Sequence, residues 1–144
     1  MAHEDAGHYA AKHPPETELN QEIADALKPE ITEEKVSCAA AHKVSRQLHV
    51  TPAEVGVTID LLEARISRCQ LGLFGYGQKK GIVEAADEVS QELEDAIRGA
   101  LQSGRLSCAA SWEIAERFGI PKMNVSAACE KLMIKIVRCQ LGSF

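Results

Sequence analysis

Apolar residues in the first half of the chain return every three or four positions in three short runs. Leu19, Ile23 and Leu27 share one helical face, Ala40, Val44 and Leu48 a second, and Val55, Ile59 and Leu62 a third. Each run opens at a residue suited to capping a helix. Asn20 stands at the first and Ser37 at the second. Thr51-Pro52-Ala53-Glu54 places an N-cap, a proline at the first helical position and a glutamate at the third before the last run. A turn at Glu33-Glu34-Lys35 leads into a short extended piece at Val36, and Arg65 to Leu71 reads as a strand that closes the unit.

The same pattern is then written again. A shift of 70 aligns residues 19–74 with 89–144 without a gap, and seventeen of the fifty-six positions are identical. Ser37-Cys38-Ala39-Ala40 matches Ser107-Cys108-Ala109-Ala110, and Arg68-Cys69-Gln70-Leu71-Gly72 matches Arg138-Cys139-Gln140-Leu141-Gly142. The helical faces recur as Val89, Leu93, Ile97, then Ala110, Ile114, Phe118, then Val125, Cys129, Leu132. Ser90 and Ser107 stand as caps, Pro121 opens the third helix, and Lys135 to Leu141 forms the closing strand. The expected architecture is mainly α with small β, a tandem repeat over 19–74 and 89–144. Residues 1–18 form a tail and 75–88 a connection. The tail is polar, carries Pro14-Pro15 and spaces His3, His8 and His13 five apart. It reads as flexible, with a histidine metal site as the sharper alternative.

Two helices separated by about four residues, the second opening at a cap, carry the helix-turn-helix signature. With a helix and short strand before them and a strand after, each copy resembles the winged-helix class of DNA-binding domains. The resemblance spans nearly the whole chain and rests on element order and apolar spacing. It implies a third helix in the major groove of double-stranded DNA, its outward residues reading bases. In copy one those are Glu54, Gly56, Val57, Thr58 and Asp60, whose two carboxylates repel phosphate. Copy two offers Lys122, Asn124, Ser126, Ala127 and Lys131 against one Glu130. There Lys suits phosphate or guanine, and Asn suits adenine. Between the copies, Gly72, Gly75, Gly77 and Gly81 flank Lys79-Lys80, which reads either as a wing with a basic tip or as a plain linker.

Charge tempers that reading. The net charge is −5, whereas a DNA-binding domain usually carries an excess of Lys and Arg. Residues 1–74 hold twelve acids and seven bases and residues 75–144 hold nine of each, so a polyanion would favour the second half. Aromatics make up 4% of the chain, which points to an aliphatic, alanine-rich core. No stretch approaches a membrane span of about 18 apolar residues, and the N-terminus lacks a basic region followed by an apolar core. A cytoplasmic protein is expected, and that compartment disfavours stable disulfides.

Cys38, Cys69, Cys108 and Cys139 occupy matching places in the two copies. Cys38 and Cys108 stand where a helix dipole lowers a thiol pKa. The four fit buried structural thiols, two redox pairs, or ligands pooled for zinc or an iron–sulfur cluster; none has the C-x-x-C spacing of a metal site. Cys129 replaces Ile59 on a buried face and reads as core. His42, His49 and the acids form no repeated constellation, so neither an enzyme nor an obligate cofactor is expected. Three functions stay open: a DNA-binding transcriptional regulator, a non-catalytic protein-interaction or assembly module, and a thiol or metal sensor. Each is compatible with a homo-oligomer.

Overall fold

The computed structural model describes residues 9–77 and 81–144. Among them, two sets of elements follow one another at the spacing of the repeat. The first set is α1 (Gln21–Leu27), β1 (Lys35–Ser37), α2 (Cys38–Leu48), α3 (Pro52–Leu61) and β2 (Arg65–Ser67). The second is α4 (Gln91–Gly99), β3 (Leu106–Ser107), α5 (Cys108–Phe118), α6 (Lys122–Leu132) and β4 (Ile136–Val137). The fold is therefore mainly helical with two small strand pairs. No helix among the described residues is long and apolar enough to cross a membrane.

Short-range chemistry sets the helix starts. The Asn20 side chain accepts from the Ile23 N–H at 3.1 Å, and Ser90 accepts from Leu93 at 3.2 Å. Ser37 and Ser107 accept from Ala40 and Ala110, each at 3.1 Å. Thr51 and Glu54 form a reciprocal capping box. Both second helices stop at a left-handed residue, His49 (φ 55°) in one and Gly119 (φ 65°) in the other.

The strands pair in parallel, with Val36 opposite Ile66 and Leu106 opposite Ile136. They are shorter than the sequence pattern suggests. Arg68 (φ 49°) and Arg138 (φ 56°) turn the chain out of the extended region, so pairing ends well before Leu71 and Leu141. A parallel pair also needs a long crossover, here α2 and α3 or α5 and α6.

The compact units do not coincide with the sequence repeats. Among the described residues, one comprises 9–69 together with 140–144, and the other 70–77 with 81–139. Each closing Gln-Leu-Gly segment thus belongs to the unit built by the other repeat. In the first unit the core is Ile23, Leu27, Val36, Ala41, Val44, Val55 and Ile59. In the second it is Ile97, Leu106, Ile114, Val125, Ala128 and Cys129. Three expectations shift within these cores. Leu19 is exposed, Ala41 rather than Ala40 is the fully buried alanine of α2, and Leu62 is only partly covered.

Within the stretch expected as a tail, residues 9–13 pack on the first unit. A 3₁₀ turn at Tyr9–Lys12 buries Tyr9 and rests on the first unit.

Candidate interaction faces of the helical units

Of the five α3 residues expected to point outward, three are covered, Val57 is partly covered and Glu54 is exposed. Gly56, Thr58 and Asp60 are all buried, and the Thr58 hydroxyl donates to the Glu54 carbonyl at 3.0 Å. Just beyond the helix, Glu63 accepts from the Tyr9 and Ala10 backbone N–H groups, each at 2.8 Å. Asp60 takes His13 Nε2 at 2.8 Å and Lys12 Nζ at 3.2 Å on one carboxylate oxygen. Lys12 also donates to the Gly142 carbonyl at 3.2 Å. At Gly56 the Leu141 backbone comes so close that a Cβ would lie 1.9 Å from its carbonyl oxygen. Of the two acids that repel phosphate in a winged-helix reading, Asp60 therefore holds the chain's own Lys12 and His13, and Glu54 closes the capping box at Thr51. The signal in the sequence was Tyr9, the one aromatic of the tail, followed by Lys12-His13 as a complement to Asp60 and Glu63.

Helix α6 is covered almost as fully. Val125, Ser126, Ala128 and Cys129 are buried, Asn124, Glu130 and Lys131 are exposed, and Lys122 is partly covered. Ser126, expected among the outward base readers, is 1% exposed because its position on the helix turns it inward. Its hydroxyl has no hydrogen-bond partner among the described residues. Lys122 Nζ sits 4.5 Å from the centroid of the Trp112 ring, a cation–π contact that holds the ammonium on the protein. The Ala86 N–H donates to the Ala127 carbonyl at 3.0 Å, which brings the connecting segment against α6.

Lys79 and Lys80 lie outside the described residues. On either side of them, the Ile82 N–H donates to the Gly72 carbonyl at 2.8 Å. Gly72 (φ 75°) packs there against Val83 and the Met123 sulfur, where a Cβ would be crowded. The structure thus brings Gly72 to the first turn of α6, near Lys122 in sequence.

Cys38 and Cys108 are the first residues of α2 and α5; both are buried, as is Cys69, while Cys139 is partly exposed. Burial, and then the neighbouring Glu130 carboxylate, push the Cys129 thiol from 9.0 up to about 11. No group of three or more His, Cys, Asp or Glu side chains that could hold a metal ion occurs among the described residues. His3 and His8 of the histidine series lie outside those residues.

A concave feature lies among the described residues of the second unit. It is a cleft of about 290 Å³ that runs between α4 and α5. Ile114 forms its floor, Gly99, Ala100 and Ala110 keep its walls low, and Asp95, Glu113 and Arg117 stand on its rim. At the matching place in the first unit, Lys43 of α2 reaches Glu30 in the 3₁₀ turn after α1, Nζ to Oε1 2.8 Å. The counterparts of Glu30 and Lys43 are Ala100 and Glu113. The substitutions remove the bridge, leave its place open and put a carboxylate where the ammonium was. Compared with protein-family models, curated proteins and solved structures, the chain matches none.

Proposed function

We propose that the chain is a non-catalytic protein-interaction module in which the third helices complete the cores and the outer faces of the first two helices meet partners. The observation that carries this reading is the burial of α3 and α6. A recognition helix must offer an open face to the groove. Here α3 is covered at Gly56, Thr58 and Asp60, where residues 9–13 and Leu141 lie against it, and α6 exposes Asn124, Glu130 and Lys131. The exposed positions of α2 and α5 are by contrast Ala39, Lys43, Arg46 and Gln47, and Ala109, Glu113, Glu116 and Arg117. These faces remain available to a partner.

A second reading, DNA contact through the second unit in a winged-helix manner, is favoured by one observation. Asn124 and Lys131 are exposed, and Gly72, on one flank of Lys79-Lys80, packs on Met123 of the same helix. Fluorescence anisotropy with labelled 20-base-pair duplexes at low salt separates the two, because electrostatic binding is strongest there. The interaction reading expects no saturation up to about 100 µM duplex, a Kd weaker than non-specific DNA binders show. It also expects photo-crosslinks to protein in cells from a crosslinker at position 46 or 116. Micromolar duplex binding that disappears in Lys122→Glu/Lys131→Glu would replace it with the DNA reading.

A further inference from the structure

We propose that the α4–α5 cleft of the second unit is a docking site for a lysine side chain presented by a partner protein. The inference rests on the interaction reading above and names the chemistry of the partner. Its argument comes from the chain's own duplication. The two units share a backbone plan, and at the matching place the first unit carries a surface ion pair: half-exposed Lys43, whose ammonium lies 2.8 Å from Glu30. In the second unit both members of that pair are gone, and the space between the helices is an open cleft of about 290 Å³.

What lines the cleft suits an aliphatic stem ending in an ammonium. Ile114 and the alanines give an apolar floor and walls, and Gly99 leaves room where the first unit has Pro29. Two carboxylates stand on the rim. Asp95 accepts only from the Gln91 side-chain amide, at 2.8 Å, and neither it nor Glu113 has a cation within 4 Å among the described residues. The contrast with Asp25, which faces Lys28 at 3.6 Å in the first unit, arises because Arg98 turns instead to Glu94 at 2.7 Å. Arg117, the third rim charge, lies over the Phe118 ring at 5.5 Å. The rim is therefore net negative, complementary to a cation. A lysine fits better than an arginine because the template in the first unit is a single-point ammonium contact rather than a planar fork.

The test uses the full chain and two small probes observed by amide NMR. Nα-acetyl-lysine methylamide should perturb Gly99, Ala100, Ala110 and Glu113 saturably, with a Kd on the order of 10 mM, as expected for one side chain. Nα-acetyl-norleucine methylamide keeps the stem without the ammonium and should bind at least about five times more weakly. The double variant Ala100→Glu/Glu113→Lys installs the pair that the first unit already carries and should abolish the lysine effect. Glu113→Gln, which leaves the cleft open, should weaken it. No saturable shift up to about 100 mM lysine probe, equal binding of norleucine, or an undiminished effect in the double variant would each overturn the proposal. Shifts at these residues that grow with protein concentration alone would assign the cleft to a second copy and also overturn it. Crosslinks from position 46 or 116 with a silent lysine titration would sink the cleft while sparing the interaction reading. Duplex binding through Lys122 and Lys131 would sink that reading itself.

Discussion

Replacing Gly56 by alanine sets two physical effects of known sign against each other. Gly56 lies within α3, where alanine is favoured over glycine by about 1 kcal/mol. Local propensity alone therefore predicts a stabilised protein. The packing predicts the reverse. The new methyl would stand 1.9 Å from the Leu141 carbonyl oxygen, 2.7 Å from its carbon and 3.1 Å from its Cα, all backbone atoms that cannot rotate away. Either α3 or the 140–144 segment must move. The segment is the shorter, and its withdrawal exposes Leu141, now buried, at a cost of about 1.5–3 kcal/mol for a leucine. A vacated gap and the lost Lys12 to Gly142 hydrogen bond add to that cost.

The expected net effect is a destabilisation of about 1–2 kcal/mol, the propensity gain having been subtracted. Urea denaturation followed by circular dichroism measures it as a fall in midpoint at unchanged slope. Truncation after residue 139 supplies the control, since it removes the obstacle. In that background Gly56→Ala should stabilise by about 1 kcal/mol, the sign that propensity dictates. A full-length Gly56→Ala that is as stable as the parent, or a loss that persists in the truncated chain, would refute the docking of the segment on α3.

Glu63→Ala should free the Tyr9 and Ala10 N–H groups, raising their amide exchange about tenfold or more and costing about 1–3 kcal/mol, with partial recovery in Glu63→Gln. Unchanged exchange at those two amides would count against the docking of residues 9–13 on the first unit. Ser126→Ala removes a buried hydroxyl that has no hydrogen-bond partner among the described residues and should be neutral or stabilising by up to about 1 kcal/mol; Ser111→Ala removes a hydroxyl that donates to the Ser107 carbonyl at 3.0 Å and should cost about 1 kcal/mol. Thermal melts of the pair check the order. For Cys129 the folded pKa of about 11 exceeds the unfolded 9.0, so the protonated thiol supports the native state below pH 9. That contribution, up to about 2–3 kcal/mol, is lost as pH rises from 9 through 11 because the unfolded chain releases its proton first. It appears as a steeper alkaline loss of stability in the parent than in Cys129→Ala, and parallel curves would exclude it.

What was legible in the sequence was what neighbouring residues decide. Asn20, Ser37, Ser90, Ser107 and the Thr51–Glu54 box mark their helices because a side chain satisfies an N–H only two or three residues on. The buried alanine of α2 was misplaced by one, since Ala39, Ala40 and Ala41 give the period nothing to distinguish. The outward face of α3 could not be read from α3 at all. Its residues make one buried face by spacing, and the cover on the other comes from Tyr9 and Leu141, far away along the chain. A repeat in the sequence likewise states that Leu71 and Leu141 are equivalent, but not which unit each completes. Ser126 failed as a base reader for the same reason: a small polar residue is equally at home on a solvated or a buried face.

The divergence between the copies points to where selection for partners has room to act. The capping serines, the strand register and the Leu-Gly-x-Phe segments serve a backbone plan that both units need, and there the copies agree. The four exposed positions on the second helix serve no core. They read Ala39, Lys43, Arg46 and Gln47 in α2 and Ala109, Glu113, Glu116 and Arg117 in α5. Two of the four reverse sign from base to acid. A face with two cations and a face with two carboxylates cannot both be complementary to one charged surface, because like charges across an interface are costly. If both faces meet partners, the partners differ in charge, and the duplication yields a module that joins unlike proteins rather than one that grips the same partner twice. Charge reversal tests this directly. With the crosslinker kept at position 46, Lys43→Glu should abolish crosslinks from α2 while leaving those from position 116 intact, and a simultaneous loss of both would show a single shared partner.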